Sequence, residues 1–164
     1  MEVEDQLARY LGMIDAASGQ LADLLEELAL AARIEAGRWE PLLAEVDTLE
    51  LARAAVDDME GVYLEGYGIP VAVDEEAARS ALASLARCAL RHGGLERVSL
   101  DVNGPELTLG PLAEEVRRIC LGEDLRDLGA AVGVRILEAL GGSVEEEGEG
   151  EALRVRLPLA PVVG

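Results

Sequence analysis

Few residues in this sequence have chemistry to offer beyond charge. Its 164 residues hold one histidine, His92, and two cysteines, Cys88 and Cys120. The 14 basic residues are all arginine and face 33 acidic ones, for a formal net charge of −19. The cysteines lie in apolar helical surroundings and are read as outside any C-x-x-C or C-x-x-x-H pair. They are therefore taken as reduced thiols, and no metal ligand set is expected. His92 closes an amphipathic segment and reads as a polar helix end, not as a catalytic base. A surface this acidic repels phosphate backbones and anionic headgroups, so nucleic acid and membrane surfaces are not expected partners. With no signal-peptide pattern and no apolar run of about 18 residues, the expected location is the cytoplasm.

The elements that must position these residues begin with one long helix. From about Glu4 to Gly37 there is no proline, and apolar residues fall at Val3, Leu7, Tyr10, Ile14, Ala17, Leu21, Leu24, Leu28 and Ala31. The steps alternate four and three, a sustained heptad seam. Leu11, Leu25 and Ala32 widen it beyond a two-stranded stripe. A helix of ~34 residues runs to roughly 50 Å, too long for the rest of a chain this size to cover from one end. The seam calls for a partner helix, most simply from a second copy of the chain. Leu7, Tyr10, Ile14, Leu21, Leu24, Leu25 and Leu28 are the expected dimer contacts. Gly37 should end the helix and Pro41 prevent its resumption. Residues 1–41 then form a dimerisation helix and residues 42–164 a separate domain.

Beyond Pro41 the texture changes. Half of the residues are hydrophobic, but with no Phe, one Trp and three Tyr the core must be aliphatic. Residues 44–49 read as a short strand entering a helix that runs to about Met59. Residues 61–74 alternate apolar and polar around Gly66 and Gly68, the pattern of a hairpin. A helix from Glu75 to His92 stops at Gly93-Gly94. Val98, Leu100 and Val102 begin a second hairpin, turned at Asn103-Gly104 and returned by Leu107 and Leu109. Helices are expected over Leu112–Leu121 and Leu128–Leu140, then a closing hairpin of Ser143–Glu147 and Leu153–Leu159 around an acidic glycine turn. The fold class is α+β: helices on one face of a mixed, mostly antiparallel sheet, preceded by the long helix.

Three stretches carry a resemblance. LADLLEELALAARIEAGRWEP, from Leu21 to Pro41, resembles the end of the second dimerisation helix of sensor histidine kinases. EEAARSALASLARCALRHGG, from Glu75, stands where that family has its N box, a helix ending N-A-x-K-H. AAVGVRILEALGGSVEEEGEGEALRVRLPL resembles the family's second glycine box and closing hairpin. The resemblance spans about Tyr10 to Leu159. It implies the ATP-binding sandwich of these kinases, of gyrases and of Hsp90, carried on a dimerising helix.

It also implies which residues should form the nucleotide site, and there the sequence departs from the pattern. The asparagine that holds magnesium corresponds to Cys88, and an earlier asparagine of the same helix to Ser84. A soft thiol is a poor ligand for a hard cation. The adenine-binding D-x-G-x-G corresponds best to Thr108–Leu112 around Gly110, where an apolar side chain replaces the aspartate acceptor. DVNGP, Asp101 to Pro105, reads as a hairpin turn, not a displaced box. In the second glycine box only Gly129 remains, and Asp127 brings an anion to a phosphate-binding helix start. Arg117, Arg118 and Arg126 read as solvated helix-face charges. The family's phosphoacceptor histidine belongs to an earlier helix, and His92 matches the N-box histidine instead.

The expected function is thus a non-catalytic, histidine-kinase-like regulatory or scaffold protein of two-component signalling. It would be a pseudokinase without cofactor, homodimeric, and bind a sensor kinase or response regulator through its helix. Leu109, Val132 and Ile136 are expected to fill or adjoin the space of a closed nucleotide pocket. The alternative is a histidine-kinase-type ATPase or phosphotransfer protein with an unusual site, for which ATP and magnesium would be the cofactors.

Overall fold

Three aspartates begin the three helices that matter most. In the computed structural model, which describes residues 2–94, 97–147 and 151–162, Asp47, Asp74 and Asp127 are all extended N-cap residues. Each carboxylate accepts from backbone N–H groups that a helix start leaves without partners. Asp47 takes Leu49 N at 2.9 Å, Asp74 takes Ala77 N at 3.2 Å, and Asp127 takes Ala130 N at 3.1 Å. The chain order is α1 (Glu2–Glu35), β1 (Leu43–Asp47), α2 (Thr48–Val56), β2 (Val62–Gly68), β3 (Pro70–Asp74) and α3 (Glu75–His92). It continues with β4 (Val98–Gly104), β5 (Glu106–Gly110), α4 (Glu114–Cys120), α5 (Leu128–Ala139), β6 (Ser143–Glu147) and β7 (Ala152–Arg156).

Five strands form one sheet in the order β2-β4-β5-β7-β6, while β1 and β3 pair separately and antiparallel. The two expected later hairpins are present: Asn103 faces Glu106 across β4 and β5, and Ser143 faces Arg156 across β6 and β7. The turn expected at 148–150 lies outside the described residues. The hairpin expected over 61–74 does not form. β2 instead runs parallel to β4, from Val62 opposite Val98 to Gly68 opposite Gly104, and β3 turns away to pair with β1. Only Ile69 separates β2 from β3, too little for a two-residue hairpin turn. A parallel pair needs a long crossover, which β3 and α3 supply. Gly66 permits the close pairing: its φ is +118°, and a Cβ there would stand 1.9 Å from Val102 O.

The core is aliphatic, as composition requires. Val98, Leu100 and Val102 alternate inward on β4, Leu107 and Leu109 on β5, and Leu153 and Val155 on β7. Leu51 of α2, Leu85 of α3 and Ile136 and Leu137 of α5 cover that face. Alanines make α3 thin where α5 crosses it, and a Cβ on Gly133 of α5 would stand 3.1 Å from Ala81 O. Thr48, fully buried, donates from Oγ1 to Gly104 O at 2.6 Å and accepts from Ile69 N at 3.0 Å. These bonds tie the start of α2 to the β4–β5 turn.

α1 has no fully buried residue along its length. Leu30, Ala31 and Ile34 of its last turns pack on the core, and Arg135 of α5 pairs with Glu35. Val3, Leu7, Tyr10, Leu11, Ile14 and Leu21 are exposed. The helix ends as expected, in a Schellman turn: Arg38 N donates to Arg33 O at 2.8 Å and Gly37 N to Ile34 O at 3.0 Å, with Gly37 at φ +68°.

Candidate functional site

α3 repeats its side chains every turn, so Ser84, Cys88 and His92 recur at four-residue steps along one face. That face meets the start of α5, where Asp127 is only 6% exposed. Asp127 Oδ1 caps the helix, which leaves Oδ2 facing α3. Oδ2 lies 3.3 Å from Arg91 Nη1 and 3.3 Å from His92 Nε2. The latter contact lacks hydrogen-bond alignment, and His92 Nε2, itself buried, has no hydrogen-bond partner among the described residues. Cys88 is fully buried, with Cys120 Sγ of α4 at 2.9 Å from its own Sγ. Its thiol is held well above the usual range, first by the hydrogen bond with Cys120 and then by burial.

α1 passes over this cluster. Glu27 Oε1 receives a hydrogen bond from Ser84 Oγ at 3.5 Å, across 57 positions of sequence. Between α1, α3 and the start of α5 lies an open groove of about 500 Å³. Asp23 and Glu27 line one side, Arg87, Arg91 and Arg126 the other, and Asp127 and Gly129 lie at the α5 end. Burial raises the Glu27 carboxyl, and neighbouring Asp23 and Asp127 add to the rise. The Ser84 hydrogen bond and Arg87 oppose it. Arg126 is engaged by Asp124 at 2.7 Å and by Glu115 at 2.9 Å. Those bonds lower the Asp124 carboxyl and raise the guanidinium.

Comparison with known proteins places this geometry. No protein-family model matches the sequence, and no curated protein is similar to it in sequence. Solved structures do match. Histidine kinase AdeS of Acinetobacter baumannii superposes with a TM-score of 0.66 at 19% identity, over 88% of this chain and 81% of that one. Full-length ShkA, in complex with AMPPNP, gives 0.62 at 23%, over 93% of this chain and 40% of ShkA. The ATP-binding domain of PrrB from Mycobacterium tuberculosis gives 0.54 at 24%, over 73% of this chain and 98% of that domain. This is the histidine-kinase ATP-binding fold. At these identities the likeness is one of fold.

Within the histidine-kinase fold, the structure brings together Ser84, Cys88, Asp127 and Gly129. Gly110 is apart from them. A Cβ on it would meet Glu151 and Ala152 at the start of β7. Leu109, Val132 and Ile136 are buried in the core, and none of them lines the groove, which is open. DVNGP is the β4–β5 turn, as read. Arg118 is a solvated charge paired with Glu114. Arg117 is not: its side chain is 13% exposed and Nη1 donates to Leu112 O at 2.6 Å. Of the expected dimer contacts, Leu7, Tyr10, Ile14, Leu21 and Leu25 are exposed and Leu28 lies at the edge of exposure, while Leu24 lines the groove of its own chain.

Two features of the cluster differ from the sequence expectations: Glu27, expected among the exposed docking residues of the helix, is half-buried, and the cysteines are not both outside a C-x-x-x-H pair. Glu27 reaches Ser84 only through a long-range packing of α1, for which periodicity carries no signal. Cys88 and His92, by contrast, are a C-x-x-x-H pair on one helix face, and that spacing was legible. The expectation that the cysteines lie outside any such pair is therefore incorrect. Among the described residues, no helix is long and apolar enough to cross a membrane.

Proposed function

We propose that this chain is a non-catalytic, kinase-like regulatory or scaffold protein of two-component signalling. It acts as a homodimer through α1 and engages a partner kinase or response regulator along that helix. The observation that carries this reading is Cys88. It occupies the position that the resemblance gives to the magnesium-holding asparagine, it is fully buried, and its sulfur is turned to Cys120. A thiol offers magnesium a soft sulfur in place of a hard oxygen. Asp23, Glu27 and Asp127 add carboxylates to the groove where phosphates would lie. Residues 1–41 serve as the assembly helix and residues 42–164 as the kinase-like domain.

Titration with ATP and magnesium, followed by calorimetry and thermal shift, tests the reading. Absence of binding at millimolar ATP is expected. A tight, magnesium-dependent signal would overturn it in favour of a nucleotide-binding protein that uses Arg87, Arg91 and Arg126.

A further inference from the structure

Three side chains of metal-ligating type meet under the groove, and a fourth, Cys120, adjoins one of them. Cys88 and His92 come from α3, Cys120 from the end of α4, and Asp127 from the start of α5. The ligand atoms of Cys88, His92 and Asp127 all lie within 4.8 Å of one another, and Cys120 Sγ is 2.9 Å from Cys88 Sγ. We propose that Cys88, His92, Asp127 and Cys120 form a tetrahedral binding site for a zinc-class transition-metal ion.

The geometry supports a shared ion in three ways. Ligands bonded at about 2.0–2.1 Å and subtending a tetrahedral angle stand about 3.3 Å apart. His92 Nε2 and Asp127 Oδ2 are 3.3 Å apart without a hydrogen bond between them. A metal gives that buried nitrogen the partner it lacks among the described residues. The sulfurs are closer than two thiolates on one zinc, and the pair would open by a little under about 1 Å to reach bonds of about 2.3 Å. Charge also balances. Two thiols release their protons to solvent on binding; with the Asp127 carboxylate, three anionic ligands on a divalent ion then leave one net negative charge. Arg91, 3.3 Å from Asp127 Oδ2, supplies the opposite charge from outside the ligand set. Soft sulfur with imidazole selects zinc, cobalt or copper over magnesium. Asp127 and Arg91 line the groove, which provides the entry path. Such an ion would fasten α3, α4 and α5 at the place where the kinase resemblance puts magnesium. The inference does not depend on the scaffold reading, since the metal binds whether or not ATP does.

The test uses the full chain, reduced, stripped with chelator and loaded with zinc or cobalt alone. One zinc per chain is expected after desalting, together with a raised Tm. Cobalt should give the visible bands of a tetrahedral ion and a thiolate charge-transfer band. Cys88→Ser should remove part of that charge-transfer intensity. His92→Gln, at a half-buried helix end, tests the site where the cysteine change impairs folding. It should weaken zinc by more than the roughly 10–100-fold typical of losing an outer-shell partner, and shift the cobalt bands. Circular dichroism checks that each variant is folded. The proposal is overturned if the reduced protein retains no stoichiometric zinc. It is equally overturned if His92→Gln leaves affinity and spectrum unchanged, or if the thiols close to a disulfide and the reduced form ignores metal.

Discussion

Glu27 is the residue whose ionisation the packing resists. Its carboxyl is raised above the ordinary 4.5 chiefly by burial against α3. The docked form of α1 therefore binds a proton more readily than an undocked helix does. Glu27 favours docking most below about pH 4.5, its ordinary value, and that contribution is lost as pH rises through the raised value. Near neutrality the ionised carboxylate works against docking. Glu27→Gln keeps an acceptor for Ser84 Oγ without the charge. It should strengthen docking at pH 7 and flatten its pH dependence above pH 4.5. Trp39, the only tryptophan, packs partly buried against the core close to α1 and reports docking by fluorescence. An unchanged pH profile in the variant would show that Glu27 does not control the contact.

At the scale of elements, α1 has two distinct surfaces. Its last turns lie on α5 and over α3, while Leu21 and Leu28 belong to the outer seam. Leu21→Glu with Leu28→Glu should dissociate the proposed dimer, seen as halved mass in light scattering, with the circular dichroism of the domain retained. No change in mass would place the interface elsewhere. α3 depends on its cap. Asp74 accepts from Ala77 N at 3.2 Å and from Leu42 N at 3.0 Å. Asp74→Ala should cost about 1 kcal/mol, within the range for lost N-caps, and lower Tm by roughly 3 °C for a domain of this size. Thermal unfolding measures it.

Over the whole molecule, an all-aliphatic core and a large negative charge set the behaviour. Leu137 is fully buried between α5 and the sheet. Leu137→Ala should lose about 2–5 kcal/mol in denaturant unfolding, through lost transfer energy and the cavity left. The proposed homodimer would bring together two chains of net charge −19. α1 itself contributes eight acidic residues against Arg9 and Arg33. Repulsion between copies is screened by salt, so the dimer should tighten as ionic strength rises from about 0.01 to 0.15 M. Sedimentation across that range measures the effect. A dimer that weakens with salt would point to ion pairs, not the apolar seam, as its basis.

Periodicity and punctuation in the sequence determine most elements, because they reflect local energetics. The heptad steps from Val3 to Ala31 specify α1, Gly37 its end, and Asn103-Gly104 the β4–β5 turn. Asp47, Asp74 and Asp127 each precede a helix that they cap. Four of the five residues assigned to the site from the resemblance, Ser84, Cys88, Asp127 and Gly129, do converge. Pairing partners were not legible, since alternation marks a strand without naming its neighbour. Residues 61–74 therefore read as a hairpin, although β2 belongs beside β4 and β3 beside β1. The same limit hid Glu27 against Ser84 and Cys88 against Cys120, contacts 57 and 32 positions apart. Such contacts follow from how α3, α4 and α5 pack around a common core and how α1 lies across α5. Only the tertiary fold decides that packing, because burial is a property of the assembled surface and not of any one segment.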